Sequence, residues 1–401
     1  MSTTAIILIC VFLAFTLTWI VYPVAFRFAK KHRIVDNPDA RKLQRYPIPV
    51  LGGVAIAVGM TIPIAITTAY FDWGALIYIF VFMAIMLVIG VLDDLYNLSA
   101  TLRFALELFI VGAYIYVSGS MIDSFHGLWG ITTIPIYIGI PLSIIAGVGI
   151  INSINLIDGV DGYSSGFGIM ACTIFSILFL QMGEYEFACF TLICAGSIIP
   201  FYCHNAFGQK TKMYIGDGGT LMLGTVMSCC IFHILSVNSP CSQLGQEGFG
   251  LVAFCLAVMC LPIFDTVRVM CWRLAHRISP FTPDRTHLHH LYLDLGFSHI
   301  GTAMMILLTN IFIILCWWLS FRLGMSINGQ FYIVITLGLL ATFVFYPWMR
   351  GCIRRRNGVY RIMTRIGHWS HFERKGLWRA AQQIVDGEWR KKETDGRTAN
   401  S

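Results

Sequence analysis

Charge is what this chain has least of. Asp, Glu, Lys and Arg make up 12% of its 401 residues, hydrophobic residues make up 57%, and the mean hydropathy is +0.71. That shortage excludes an ordinary water-soluble domain and leaves an integral membrane protein. A metal or redox cysteine motif is missing too: the thirteen cysteines include no CxxC pair and sit mostly in apolar stretches, as small apolar residues of helices do. No internal repeat, low-complexity linker or second soluble domain interrupts the chain. The first apolar stretch lacks a basic leading segment and a small-residue cleavage site, so it is expected to stay as an anchor. No nucleic-acid partner is expected.

What is present is a succession of apolar runs long enough to span a bilayer. Hydropathy predicts an all-α, polytopic transmembrane bundle of about eleven helices, near 4–26, 50–70, 76–93, 103–119, 132–152, 164–182, 187–203, 219–237, 250–271, 300–321 and 330–348. By helix parity, 27 of the 28 Lys and Arg residues fall on one set of connections and the tail, and only Arg322 falls on the other. The positive-inside rule then puts the N-terminus outside and the C-terminus in the cytoplasm. The expected division is a transmembrane catalytic domain over 1–349 and a basic cytoplasmic tail over 350–401. In that tail Trp369, Phe372, Trp378 and Trp389 alternate with Arg374, Lys375, Arg379, Arg390 and Lys391, as in a helix lying on anionic membrane lipid. A solvated, partly disordered tail is the alternative.

The polar clusters share the same basic side, near helix ends. A transporter would hold its ionisable groups near the midplane, so this distribution favours chemistry at the membrane surface. Asp93-Asp94 closes the third helix, where adjacent carboxylates suit Mg²⁺ or proton removal, or are simply two solvated acids. Asn152, Asn155, Asp158 and Asp161 recur every three residues, which on a helix places them on one face for a nucleotide, a sugar or a hydrated metal. A polar interhelical network is the competing reading. Gly216-Asp217-Gly218-Gly219 precedes the eighth helix, whose N-terminal N–H groups favour an anion and where Asp217 would hold Mg²⁺; a capped turn accounts for the string equally well. Arg285, His287, His289 and His290 lie in the longest loop on this side and suit a pyrophosphate better than zinc. The first loop adds Asp36-Asn-Pro-Asp39-Ala-Arg41-Lys42 and Pro47-Ile-Pro49-Val-Leu-Gly52-Gly53, whose basic residues would meet a lipid headgroup or one phosphate.

In this order, from about Asp36 to Gly296, these five motifs resemble the polyprenyl-phosphate N-acetylhexosamine-1-phosphate transferases, glycosyltransferase family 4. The run Pro280-Phe-Thr-Pro-Asp284-Arg285-Thr-His287-Leu-His289-His290 resembles the bacterial branch that uses undecaprenyl phosphate and UDP-N-acetylglucosamine. The resemblance implies transfer of GlcNAc-1-phosphate to the lipid phosphate with release of UMP. It also implies a multi-pass protein of the bacterial inner membrane with a cytoplasmic active site, dependence on Mg²⁺ (or Mn²⁺ in its place), and a possible homodimer. Within it Asp93 is the base or nucleophile, supported by Asp94, and Asp217 with Asp94 holds the metal. Asn152, Asn155, Asp158 and Asp161 shape the nucleotide-sugar pocket. Arg285, His287, His289 and His290 contact the pyrophosphate and sugar, and Lys42 approaches a phosphate. One position departs from the family pattern, Gln44 standing where a histidine is usual. The alternatives are the same reaction on another UDP-N-acetylhexosamine or on UDP-MurNAc-pentapeptide, a membrane transporter, or a non-catalytic scaffold.

Overall fold

The computed structural model describes residues 2–36, 46–74, 76–279, 282, 285–371 and 376–387. Lys42 and Gln44 lie outside the described residues, as do Asp39, Arg41, Pro283 and Asp284.

Seventeen helices carry the described chain: α1 (Thr3–Lys31), α2 (Gly52–Thr67), α3 (Leu76–Tyr96), α4 (Ala100–Ser118), α5 (Ile136–Leu156), α6 (Tyr163–Gln181), α7 (Tyr185–Phe207), α8 (Gly216–Ile234), α9 (Ser242–Gln246), α10 (Leu251–Val258), α11 (Cys260–Ala275), α12 (Leu288–Asp294), α13 (His299–Arg322), α14 (Ile327–Leu339), α15 (Phe345–Arg355), α16 (Gly358–Trp369) and α17 (Gly376–Val385). Two-residue strands β1 (Val35–Asp36) and β2 (Ile48–Pro49) pair antiparallel and close the first loop. Among the described residues nine spans are long and apolar enough to cross a membrane, one of them running from α14 through a π turn at Leu340–Val344 into α15. The bent α10–α11 pair makes ten.

The expected eleven are all found, with two differences. The eleventh, α2, has 16 residues and is too short to span as a straight helix. The run expected as one helix over 250–271 is broken, α10 and α11 meeting at 75°. Such a break frees backbone groups that lipid cannot satisfy. Asn310 of α13 supplies the partners: its side-chain oxygen accepts from Leu261 N at 2.9 Å, and its nitrogen donates to the carbonyls of Val258 (3.0 Å) and Ala257 (3.3 Å). The turn between α6 and α7 falls at Gly183, whose φ is +74°.

Helix α8 is the hub, packing against α3 and α5 along its length and against α2 at its start. Its sequence is rich in Gly, Ser, Thr and Cys, and small residues let backbones close up where no hydrophobic effect drives helices together. The approach is tightest at Gly53 of α2 and Gly90 of α3. A Cβ on Gly53 would lie 2.4 Å from the Gly219 backbone, and one on Gly90 would lie 2.5 Å from the Asp217 backbone. The outer helices turn large apolar side chains outward, as Phe12 of α1 and Phe109 of α4 show at 71% and 74% exposure. The packing therefore sets small residues at the closest helix approaches, large buried side chains such as Phe167 and Phe232 in the rest of the core, and an apolar rim outside.

Gly90→Val should destabilise the protein by about 1–3 kcal/mol through overpacking. Gly351→Ala, where a Cβ meets nothing within 4 Å, should be neutral or mildly stabilising. Thermal unfolding in detergent checks both, and equal midpoints for the two variants would contradict the close α3–α8 packing.

Candidate active site

The N-terminus of α8 presents unpaired backbone N–H groups, and the third helix ends against it. Asp94 of α3 takes them: its Oδ1 accepts from Asp217 N at 3.0 Å and its Oδ2 from Gly218 N at 3.2 Å. A carboxylate at a helix N-terminus is favourably placed on both counts, hydrogen bonding and dipole. The anion expected at the Gly-Asp-Gly-Gly turn is thus one of the chain's own side chains. The glycines there serve the close packing of helices.

Asp93 faces the other way and is only 6% exposed. Its Oδ2 accepts from Arg103 Nη1 of α4 at 2.9 Å. The same Arg103 nitrogen lies 3.6 Å from Asp217 Oδ2, and Arg103 Nε lies 3.6 Å from Glu107 Oε1. One guanidinium therefore serves three carboxylates from α3, α4 and α8. Glu107 is fully buried and its Oε2 accepts from the Asn152 amide of α5, which also donates to Val148 O at 2.9 Å. Asn155 donates to Asp217 Oδ1 at 2.7 Å and Thr220 Oγ1 at 2.9 Å.

The three-residue period from Asn152 to Asp161 does not follow a single helix. Helix α5 ends at Leu156, so Asn152 and Asn155 are helical while Asp158 and Asp161 lie in the turn before α6. All four still face the same end of the bundle. Asp158 Oδ1 accepts from Ser164 Oγ at 2.5 Å. Water reaches this side chain, but protein crowds it from the remaining directions, as on a crevice wall. Loss of surrounding solvent, with Asp217 and Asp161 nearby, pushes its carboxyl up to about 7. Asp161 shows the opposite balance. Burial would raise its pKa, but His299 at 3.2 Å and Lys212 at 2.5 Å outweigh that and hold it below its ordinary value.

The histidine loop reaches the site across Gly159, where a Cβ would stand 2.1 Å from His289 Nε2, so only glycine lets that ring in. Burial, with His290 and His287 close by, holds His289 well below the usual histidine range, and burial with Arg285 nearby brings His290 to about 4. Both rings are neutral near pH 7. His287 is fixed from behind by Asp265 of α11, whose Oδ2 meets His287 Nδ1 at 2.9 Å and accepts from Leu288 N at 3.1 Å. Arg268 completes the support: its Nη2 donates to Asp265 Oδ1 and to Thr286 O, both at 2.6 Å, and its guanidinium lies 3.8 Å above the Tyr346 ring. His287 Nε2 and His290 Nδ1 are buried with no hydrogen-bond partner among the described residues, the state in which polar atoms await a ligand or solvent. Arg285 is exposed at the edge of this loop.

Arg103, Glu107, Asp265 and Arg268 were not singled out as site residues by sequence reasoning. Each has a readable signal, a charged pair at i,i+4 or i,i+3 on one face of an otherwise apolar helix. Arg103 and Arg268 enter the sequence reading only as topology markers. Among the described residues no three His, Cys, Asp or Glu side chains converge as a metal cluster. Mg²⁺ asks less than that of a protein, since it keeps several waters and completes its shell with substrate phosphates. Asp217, 36% exposed at its side chain, and Asp94, half-buried beside it, fit such a partial set.

Residues 76–235 match the family model described as glycosyl transferase family 4. That stretch contains the acid pair, Arg103, the Asn152–Asp161 cluster and Asp217. A Bacillus subtilis (strain 168) relative, a probable undecaprenyl-phosphate N-acetylglucosaminyl 1-phosphate transferase, is 29% identical over 290 residues, 72% of this chain and 78% of its own. An Escherichia coli (strain K12) undecaprenyl-phosphate alpha-N-acetylglucosaminyl 1-phosphate transferase is 28% identical over 355 residues, 85% of this chain and 89% of its own. A Mycobacterium leprae (strain TN) decaprenyl-phosphate N-acetylglucosaminephosphotransferase is 27% identical over 300 residues, 70% of this chain and 75% of its own. The chain is thus similar to glycosyl transferase family 4 over the stretch that carries most of the site.

Proposed function

We propose that the chain transfers N-acetylglucosamine-1-phosphate from UDP-N-acetylglucosamine to undecaprenyl phosphate, giving undecaprenyl-pyrophosphoryl-GlcNAc and UMP. The reaction takes place at the cytoplasmic face of the bacterial inner membrane, the side on which the basic residues gather. The observation that carries this reading is the acid–arginine cluster of Asp93, Arg103, Glu107 and Asp217 at one end of an apolar bundle, with histidine nitrogens nearby that have no hydrogen-bond partner among the described residues. The relatives named above carry the corresponding substrates in their names. Such a site joins a lipid whose tail stays in the membrane to a donor from water.

Phosphoryl transfer asks for positioning and charge neutralisation more than covalent work by the protein. An oxygen of the lipid phosphate bonds to the sugar-bearing phosphorus of the donor, the bond to the UMP oxygen breaks, and UMP leaves with the electron pair. Arg103 faces the phosphates with a cation already held by Asp93 and Glu107, so its geometry is set before substrate arrives. Asn155, itself held by Thr220, orients Asp217. Mg²⁺, or Mn²⁺ in its place, held by Asp217 and Asp94, would offset the repulsion between the two anionic phosphates and improve UMP as a leaving group. Asp158 and Asp161 border the sugar-nucleotide crevice, with Asp161 held by Lys212. Neutral His289 and His290 offer hydrogen bonds without added charge. Lys42 belongs to the same phosphate-binding set by its motif.

Asp93 is buried with one oxygen tied to Arg103, which supports a role as base toward the lipid phosphate in direct transfer rather than as a free nucleophile. Purified protein with both substrates and Mg²⁺ should release UMP and form lipid-linked sugar in equal amounts. Chelation should abolish both products, and Asp217→Asn should lower both by about 100-fold or more. Silence across a panel of UDP-N-acetylhexosamines would overturn the transferase reading. Labelled UMP should not exchange into UDP-N-acetylglucosamine when the lipid is left out; exchange under those conditions would establish a covalent intermediate in place of direct transfer.

A further inference from the structure

The basic tail returns to the site. Beyond the last span, α17 lies against the end of α7, with the Trp378 ring 4.3 Å from that of Phe207. Directly after α17, Asp386 aims its carboxylate at the loop over residues 208–215. Three consecutive backbone N–H groups converge on it: Gln209 N at 3.2 Å from each oxygen, Lys210 N at 3.1 Å and Thr211 N at 3.2 Å from Oδ1. The Thr211 hydroxyl donates to Oδ1 as well, at 3.0 Å. Successive N–H groups closing on one anion form a nest, and charge-assisted bonds of this kind are stronger than neutral ones.

The loop so held leads straight into the site. Thr211 O accepts from Tyr22 of α1 at 2.8 Å, and the next residue, Lys212, pairs with Asp161. Farther on, Tyr214 N donates to Pro49 O at 2.9 Å and Ile215 O accepts from Gly53 N at 2.9 Å, just before Asp217. The far end of the loop is thus anchored by α2 and β2, while Asp386 anchors the near end from 175 positions away in sequence.

We infer that α17 clamps the 208–215 loop, with Asp386 as a positioning residue that holds Lys212 on Asp161 at the sugar-nucleotide side of the site. Asp386 acts through the loop and is not a catalytic residue. Asp217 and Asp94 are fixed independently by the helix packing, so loosening the clamp changes donor binding and spares the transfer step. The kinetic half of this inference rests on the proposed reaction; the structural half does not.

The test uses full-length protein in lipid nanodiscs. In Asp386→Ala, hydrogen exchange at the amides of Gln209, Lys210 and Thr211 should speed up by about tenfold or more. The KM for UDP-N-acetylglucosamine should rise about five- to tenfold, with kcat within about twofold. Asp386→Glu should restore part of both, and Asp386→Asn, which keeps one carbonyl acceptor, should fall between and serves if the alanine variant does not fold. Unchanged exchange at these three amides overturns the clamp. Faster exchange with an unchanged KM, or with kcat falling in place of KM rising, overturns the positioning role. If wild type shows no turnover, the transfer reading fails while amide exchange still decides the clamp.

Discussion

Three carboxylates from three different helices meet at one end of this bundle, and Arg103 is what lets them do so. Asp93, Glu107 and Asp217 would repel one another and lose their water for nothing in return. The guanidinium, itself on α4, lies within 3.6 Å of each. A planar fork with five N–H donors can address several carboxylates in a way a lysine ammonium does not. Removing it would leave buried acids uncompensated, so the cluster is as much a condition of the fold at this end as a tool of the site.

The same end is drawn together by backbone contact. Gly53 and Gly90 bring α2 and α3 against the start of α8 with no room for a Cβ, and Asp94 then reaches the first N–H groups of α8. The acids are positioned by helices whose spacing cannot slide without a clash. Rigid elements hold reacting groups more closely than loops do. The histidine loop is the counterpart, tied down by side chains: Asp265 and Arg268 grip His287, and Gly159 admits His289.

Most of the architecture was legible in the sequence because a bilayer leaves a strong hydropathy signal. All eleven predicted helices are present, the turn at Gly183 included. The break inside 250–271 was not legible, since it rests on Asn310, a residue some fifty positions away whose side chain repairs the backbone. The period from Asn152 to Asp161 suggested one helical face, but the helix stops at Leu156 and a turn carries the acids instead. The structure gathers the described residues of the clustered polar motifs toward one end of the bundle, as their places near helix ends suggest. The pairing of Arg103 with Glu107 is readable as an i,i+4 pair, but Arg103 alone looks like any positive residue near a helix end, and its other partners, Asp93 and Asp217, lie on other helices. The tail offered aromatic and basic residues that read as a membrane surface helix, and nothing local marks Asp386 as reaching the loop before α8.

These parts divide the labour. The acids and Arg103 sit on helices, with partners already in place before any substrate enters. Lys212 and Asp161 sit on connections, His299 and the histidines sit at or beside the starts of α13 and α12, and side-chain pairs join Lys212 and His299 to Asp161. A lipid phosphate and a nucleotide sugar make different demands on such a surface. The phosphates to be joined need fixed charge, because transition-state stabilisation is lost when dipoles and ions must first reorganise. The nucleotide and sugar need a wall that admits a water-soluble donor and releases UMP, which is easier for loops held by a few hydrogen bonds than for packed helices. The division between helix-borne charge and loop-borne walls is the arrangement that the proposed reaction requires.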